Sequence, residues 1–297
     1  MEQRERAVVG GTVVTVSEAS GLPGPIAAPP PSRVGRNLPA ALAVGGGLGA
    51  MLIATLALIP QAWVGIVAVS VGVATWEVTT ATDRVQLRLP LVPLLVGGQA
   101  MVWSGWVFGA AGVLDAFGAT VLACMVWRLA AGAENYLRDT ATSVFVAAWV
   151  PLCGSFAVLL LTAENGAARV AALMVGVACS DVGGYALGAT LGRHPMVAAI
   201  SPKKSWEGFA GSMLFGVVGG MLTFTQLLQS TAVLGAAFGA VIVVVATIGD
   251  LVESQVKRDL GLKDMSELLP GHGGLMDRLD SVLPSAVVAW VLLSALL

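Results

Sequence analysis

The chain has 297 residues, 56% of them hydrophobic and only 11% charged, with a net charge of −2. A soluble domain carries about a quarter charged residues, so this composition, with a mean hydropathy of +0.84, excludes an ordinary water-soluble globule and indicates an integral membrane protein. The near-neutral balance also excludes the basic field of a nucleic-acid binder, and Cys124, Cys153 and Cys179 sit in apolar runs with the spacing of neither a zinc site nor a disulfide framework.

In chain order, residues 1–36 come first and contain "GLPGPIAAPPPSRVGR", rich in Pro and Gly and without periodicity. They read as a disordered cytoplasmic tail, lacking a basic region that leads into a short apolar core and a cleavage site. From residue 37 to residue 297 the chain reads as one all-α, polytopic membrane domain. A helix needs roughly 20 apolar residues to cross a bilayer, which places about nine spans at roughly 38–59, 61–81, 90–109, 111–131, 143–163, 168–191, 207–230, 231–249 and 281–297. The 37 glycines fit this class, because small residues let membrane helices approach closely.

Lys and Arg fix the expected orientation. Under the nine-span reading Arg4, Arg6, Arg33, Arg36, Arg84, Arg88, Arg128, Arg138, Arg193, Lys203, Lys204, Lys257, Arg258, Lys263 and Arg278 all fall on one side, and Arg169 alone falls on the other. The positive-inside rule then makes the N-terminus cytoplasmic and the C-terminus external.

Two loops on the cytoplasmic side carry the candidate chemistry. The first, "GRHPMVAAISPKKSWEG", places Lys203 and Lys204 just before a span, at the depth of phosphate headgroups, where they are either substrate contacts or topology anchors. The second follows the eighth span. In "GDLVESQVKRD" a continuing helix would put Asp250, Ser254, Lys257 and Arg258 on one face. Carboxylates there suit a hard divalent metal, and cations suit phosphate oxygens.

In "PGHGGLMDRLD" Gly273 and Gly274 belong to a turn whose open N–H groups form a phosphate-cradling nest, with His272 inside it. Asp277 and Asp280 follow, bracketing Arg278, and Asp250 and Asp277 are placed to meet around one or two Mg²⁺ ions. Taken singly, each element also reads as a turn or an anchor. Together they form the pattern of a metal-dependent site for phosphate chemistry. Inside the spans, Asp181 and Glu77 are the notable acids, since a membrane carboxylate is costly and functional by default; Asp181 is expected to line a polar cavity open to the cytoplasmic loops.

The stretch "SQVKRDLGLKDMSELLPGHGGLMDRLD", residues 254–280, closely resembles the signature of the phosphatidate cytidylyltransferases, or CDP-diacylglycerol synthases. The segments "DVGGYALG" and "SPKKSWEG" also look like that family. The resemblance is expected to cover residues 175–297, the catalytic part, and to reach the first half only in hydropathy. It implies an all-helical nine-span fold, usually dimeric, and the reaction of CTP with phosphatidic acid, a membrane lipid, to give CDP-diacylglycerol and pyrophosphate in the cell membrane. It further implies Mg²⁺, with K⁺ beside it.

By the same resemblance Asp250 and Asp277 match metal-binding carboxylates, and Ser254, Lys257, Arg258, Lys263, Asp264, His272, Arg278 and Asp280 match signature positions. Lys203 and Lys204 are expected near substrate phosphate. In the mechanism so implied, Lys257, Arg258 and Arg278 stabilise charge on the triphosphate, and no protein nucleophile is needed. A secondary transporter would also suit the spans and Asp181, but transporters gather their charges near the midplane, often in repeats, and here the charges collect in loops.

Overall fold

A computed structural model describes residues 55, 56, 58–132, 134–268 and 273–297. The expected tail and nearly all of the expected first span lie outside the described residues, as does His272. The described chain is helical throughout except for one small β-hairpin.

Helix α1 (Pro60–Thr82) starts on a proline, whose missing N–H is one that a first turn leaves unpaired anyway. It ends in a short 3₁₀ turn, Asp83–Val85. Helix α2 (Leu91–Ala130) is 40 residues long but is broken at Gly109, where φ is +67° and ψ −154°. Its two arms fold back on each other: the backbone of Gly97 packs against Thr120, and that of Gly105 against Val113. Left-handed backbone of this kind favours glycine, so the division expected between the third and fourth spans falls at Gly109.

Helices α3 (Tyr136–Ala147) and α4 (Cys153–Thr162) are joined by a π-helical turn, Ala148–Leu152, that contains Pro151. Proline cannot donate to the helical ladder, and a widened turn accommodates it without ending the helix. Helix α5 (Gly166–Leu191) leads into strands β1 (Pro195–Val197) and β2 (Ser201–Ser205), paired antiparallel. Helix α6 (Trp206–Gln226) follows, with Ser205 as its N-cap accepting from Gly208 N, and then α7 (Ala232–Asp259), capped by Thr231. The chain closes with α8 (Met276–Leu279) and α9 (Val282–Leu296).

Seven described helices are long and apolar enough to cross a membrane, against the nine spans expected. The count of nine is therefore not confirmed, and the expected spans stand differently in two respects. The third and fourth expected spans are the arms of the one broken helix α2, and the first expected span lies outside the described residues.

One apolar core runs between the helices, with Trp63, Val158, Leu173, Phe238, Ile242 and Leu293 among its buried members. A second core, including Val78, Leu94, Val146, Leu260, Met265 and Met276, lies at the helix ends that carry the signature. Helix alternation puts every described Lys and Arg except Arg169 at that same end. Arg169 is buried at the other end, where it donates to Leu293 O near the end of α9 at 2.9 Å and to Glu164 O at 2.9 Å. A cation there suits the negative end of the helix dipole.

Candidate active site

The last three turns of α7 carry most of the site. Asp250 lies one turn before Ser254, which donates Oγ–H to Asp250 Oδ1 at 3.2 Å. Lys204 reaches across from β2 and pairs with Asp250 Oδ2 at 2.6 Å. Glu253 is fully buried; Lys257, one turn on, forms an ion pair with its Oε2, and its Oε1 has no hydrogen-bond partner. The same ammonium pairs with Asp277 Oδ1 at 2.8 Å.

Asp280, just after α8, completes an acidic trio: one oxygen each from Asp250, Glu253 and Asp280 lie within 4.8 Å of one another. Leaving a buried carboxylate oxygen unpartnered is costly. Hard oxygen donors at this spacing are the ligand type of a divalent cation, so these residues fit a metal ion.

Asp277, expected as the metal partner of Asp250, is engaged differently. Its Oδ2 accepts from Met265 N at 3.0 Å and from Gly274 N at 2.7 Å, and its Oδ1 faces Lys257. The glycine turn therefore turns at least one of its N–H groups onto a carboxylate of the protein itself. Gly273 adopts φ +82°, and a Cβ on Gly274 would lie 2.9 Å from Glu77 Oε1. Both positions thus exclude side chains for local reasons.

A cavity of about 250 Å³ opens between α5, α6, α7 and β2, lined by Asp181, Tyr185, Lys203, Lys204, Asp250 and Ser281 among others. The two ammonium groups in its lining suit phosphate oxygens. Asp181 does line a polar cavity, as its position in the sequence suggested, and it faces Asp250 there.

The β-hairpin is held at both ends. At its base, Glu207 Oε2 accepts from Arg193 N at 3.1 Å and His194 N at 3.2 Å, and Oε1 lies 2.5 Å from His194 Nδ1. At its tip, Arg258 Nε donates to Ile200 O at 3.4 Å. Lys263 and Asp264 are exposed on the signature loop, with Asp264 beside Gly273, and Arg278 follows Asp277 in α8.

The sequence alone assigns no role to three acidic residues in these contacts. Glu253 was signalled by its i, i+4 spacing to Lys257. Glu77 was signalled only as a membrane carboxylate. For Glu207 the sequence carried no signal beyond its place in "SWEG".

A match to the Cytidylyltransferase family extends over residues 40–296. The chain belongs to that family. Its similarity to curated members is high: it is 52% identical over 278 residues to the phosphatidate cytidylyltransferase of Mycobacterium bovis, covering 89% of this chain and 91% of that one. The phosphatidate cytidylyltransferase of Mycobacterium leprae is 52% identical over 280 residues, 89% of this chain and 90% of that one. A Helicobacter pylori enzyme of the same name is 40% identical over 144 residues, 48% of this chain and 53% of that one. Family likeness therefore extends well beyond residues 175–297, into the half where only hydropathy was expected to agree.

Proposed function

We propose that the chain transfers the cytidylyl group of CTP to phosphatidic acid, giving CDP-diacylglycerol and pyrophosphate. The observation that carries the reading is the meeting of an acidic trio, Asp250, Glu253 and Asp280, with the ammonium groups of Lys204 and Lys257 at one end of the bundle. The mycobacterial relatives, which share about half their residues with the chain, bear the name of that activity.

A phosphate oxygen of phosphatidic acid attacks the α-phosphorus of CTP, the bond to the bridging oxygen breaks, and pyrophosphate leaves with the electron pair. That phosphate is already ionised at neutral pH, so no general base is assigned. A divalent ion held by Asp250, Glu253 and Asp280 would neutralise charge growing on the leaving pyrophosphate. We take it to be Mg²⁺, which such hard oxygen donors suit; a role for K⁺ rests on the family resemblance alone. Lys204, Lys203 and Arg258 bind phosphate oxygens from the hairpin side, and Arg278 does so from α8. Asp277 orients Lys257 and anchors the signature loop, in place of the metal-binding role expected for it.

The acyl chains remain in the bilayer while the headgroup enters at the helix ends. The gathering of cations at that end supports a cytoplasmic active site in the cell membrane, by the positive-inside rule. The family resemblance supports a homodimer. The test is release of pyrophosphate from CTP by the purified chain in mixed micelles, with and without phosphatidic acid. Lipid-dependent release is expected, and CTP turnover that ignores the lipid contradicts the assignment.

A further inference from the structure

Glu77 lies in the last turns of α1, in the half of the chain that carries none of the signature, and is only 1% exposed. A buried carboxylate is expensive to desolvate and persists only with donors around it. Among the described residues Glu77 has three, all from the signature loop. Ser266 Oγ donates to Oε1 at 2.5 Å, Leu275 N to Oε1 at 3.0 Å and Met276 N to Oε2 at 2.7 Å. The absence of a side chain at Gly274 leaves the room this carboxylate occupies.

The neighbouring contacts show what the arrangement controls. Three consecutive backbone N–H groups are divided between two carboxylates: Gly274 N goes to Asp277, and Leu275 N and Met276 N go to Glu77. Asp277 in turn holds Lys257, which pairs with Glu253 of the acidic trio. An apolar residue at position 77 would leave the Leu275 and Met276 N–H groups and the Ser266 hydroxyl without this acceptor, so it is the loop's donors, not packing, that call for a carboxylate there.

We propose that Glu77 is a positioning residue for the reaction: from α1 it fixes the signature loop through Ser266, Leu275 and Met276, and thereby sets the Lys257–Asp277 pair beside the acidic trio. The inference rests on the proposed transfer for its kinetic consequence, but not for the latch itself. The latch joins residues 189 to 199 positions apart, so it couples the first half of the chain to the catalytic segment.

The test uses the full chain in detergent micelles, with Glu77→Gln and Ser266→Ala. Glutamine keeps the shape but turns an NH₂ group toward one of the donors. A loop displaced by a fraction of an ångström should lower kcat at least about tenfold, while KM for CTP and for phosphatidic acid stays within roughly threefold. Ser266→Ala, which removes one donor and keeps the carboxylate, should lower kcat less and in the same direction.

Hydrogen exchange at the Leu275 and Met276 amides should accelerate in Glu77→Gln, with α5, α6 and α7 unchanged. Turnover per folded molecule like that of the unaltered chain, with only a lower unfolding temperature, would make Glu77 purely structural and overturn the proposal. Unchanged exchange at those amides would overturn it as well. Should Glu77→Gln fail to fold, Ser266→Ala decides by the same two readouts. Should the unaltered chain fail to turn over CTP, the proposed transfer falls, and the exchange measurement still decides the latch.

Discussion

Where α5, α6 and α7 meet, backbone lies against backbone. A Cβ on Gly183 would fall 2.4 Å from the carbonyl oxygen of Gly211, and one on Gly220 would fall 2.1 Å from that of Gly235. In the α1–α4 half the joints are made by side chains. Trp63 donates its indole N–H to Ala157 O at 3.2 Å and packs among Val67, Val158 and Leu161, and even Gly97 meets the side chain of Thr120. Close backbone approach leaves the three glycine-rich helices little freedom to slide, and the cavity with Asp181, Lys204 and Asp250 lies at their end. The N-terminal half contributes one carboxylate, Glu77, to the signature loop. The candidate site thus lies at the end of the joint where backbones approach most closely, and its signature loop is held from α1.

The largest effects should come from the acidic trio. Asp250→Asn and Asp280→Asn should each lower turnover at least about a hundredfold, measured as pyrophosphate release at saturating CTP, with the unfolding temperature little changed. Asp277→Asn should weaken the hold on Lys257 and the loop together, and so should lower both turnover and thermal stability, a joint loss that the trio variants lack.

Lys204→Gln comes next. Losing the ammonium beside Asp250 should cost about tenfold or more in kcat/KM and should reduce the salt dependence of activity. Smaller still, and aimed at the packing contrast itself, are two glycine changes. Gly183→Ala should destabilise the fold by about 1–3 kcal/mol, since its Cβ would meet backbone that cannot yield. Gly65→Ala in α1, where a Cβ meets nothing within 4 Å, should be neutral within about 0.5 kcal/mol. Equal losses in thermal unfolding would break the contrast between the two halves.

Much of this was legible in the sequence because it is local. Span positions follow from runs of apolar residues, and the expected boundary between 90–109 and 111–131 falls at Gly109, where α2 breaks. The grouping of Asp250, Ser254 and Lys257 follows from helical spacing. That Asp280, with Glu253, brings its carboxylate beside Asp250 while Asp277 faces Lys257 did not follow. It depends on how the chain leaves α8 for α9, and spacing alone gives two carboxylates one turn apart with no direction.

The Glu77 contacts were beyond local reasoning, because their partners are nearly two hundred residues away and any donor in the C-terminal half would have served the sequence equally well. The hairpin of β1 and β2 was missed for a different reason. Its strands of 3 and 5 residues are too short for alternation to show, and Glu207 and Arg258 hold it in place by contacts to backbone.

The most direct test of the central claim is pyrophosphate release from CTP by the purified chain as Mg²⁺ is titrated in phosphatidic acid micelles, run beside Asp280→Asn. The account predicts release that requires both the lipid and the metal, and that Asp280→Asn reduces at least about a hundredfold. Release by Asp280→Asn close to that of the unaltered chain, or release without phosphatidic acid, would contradict it.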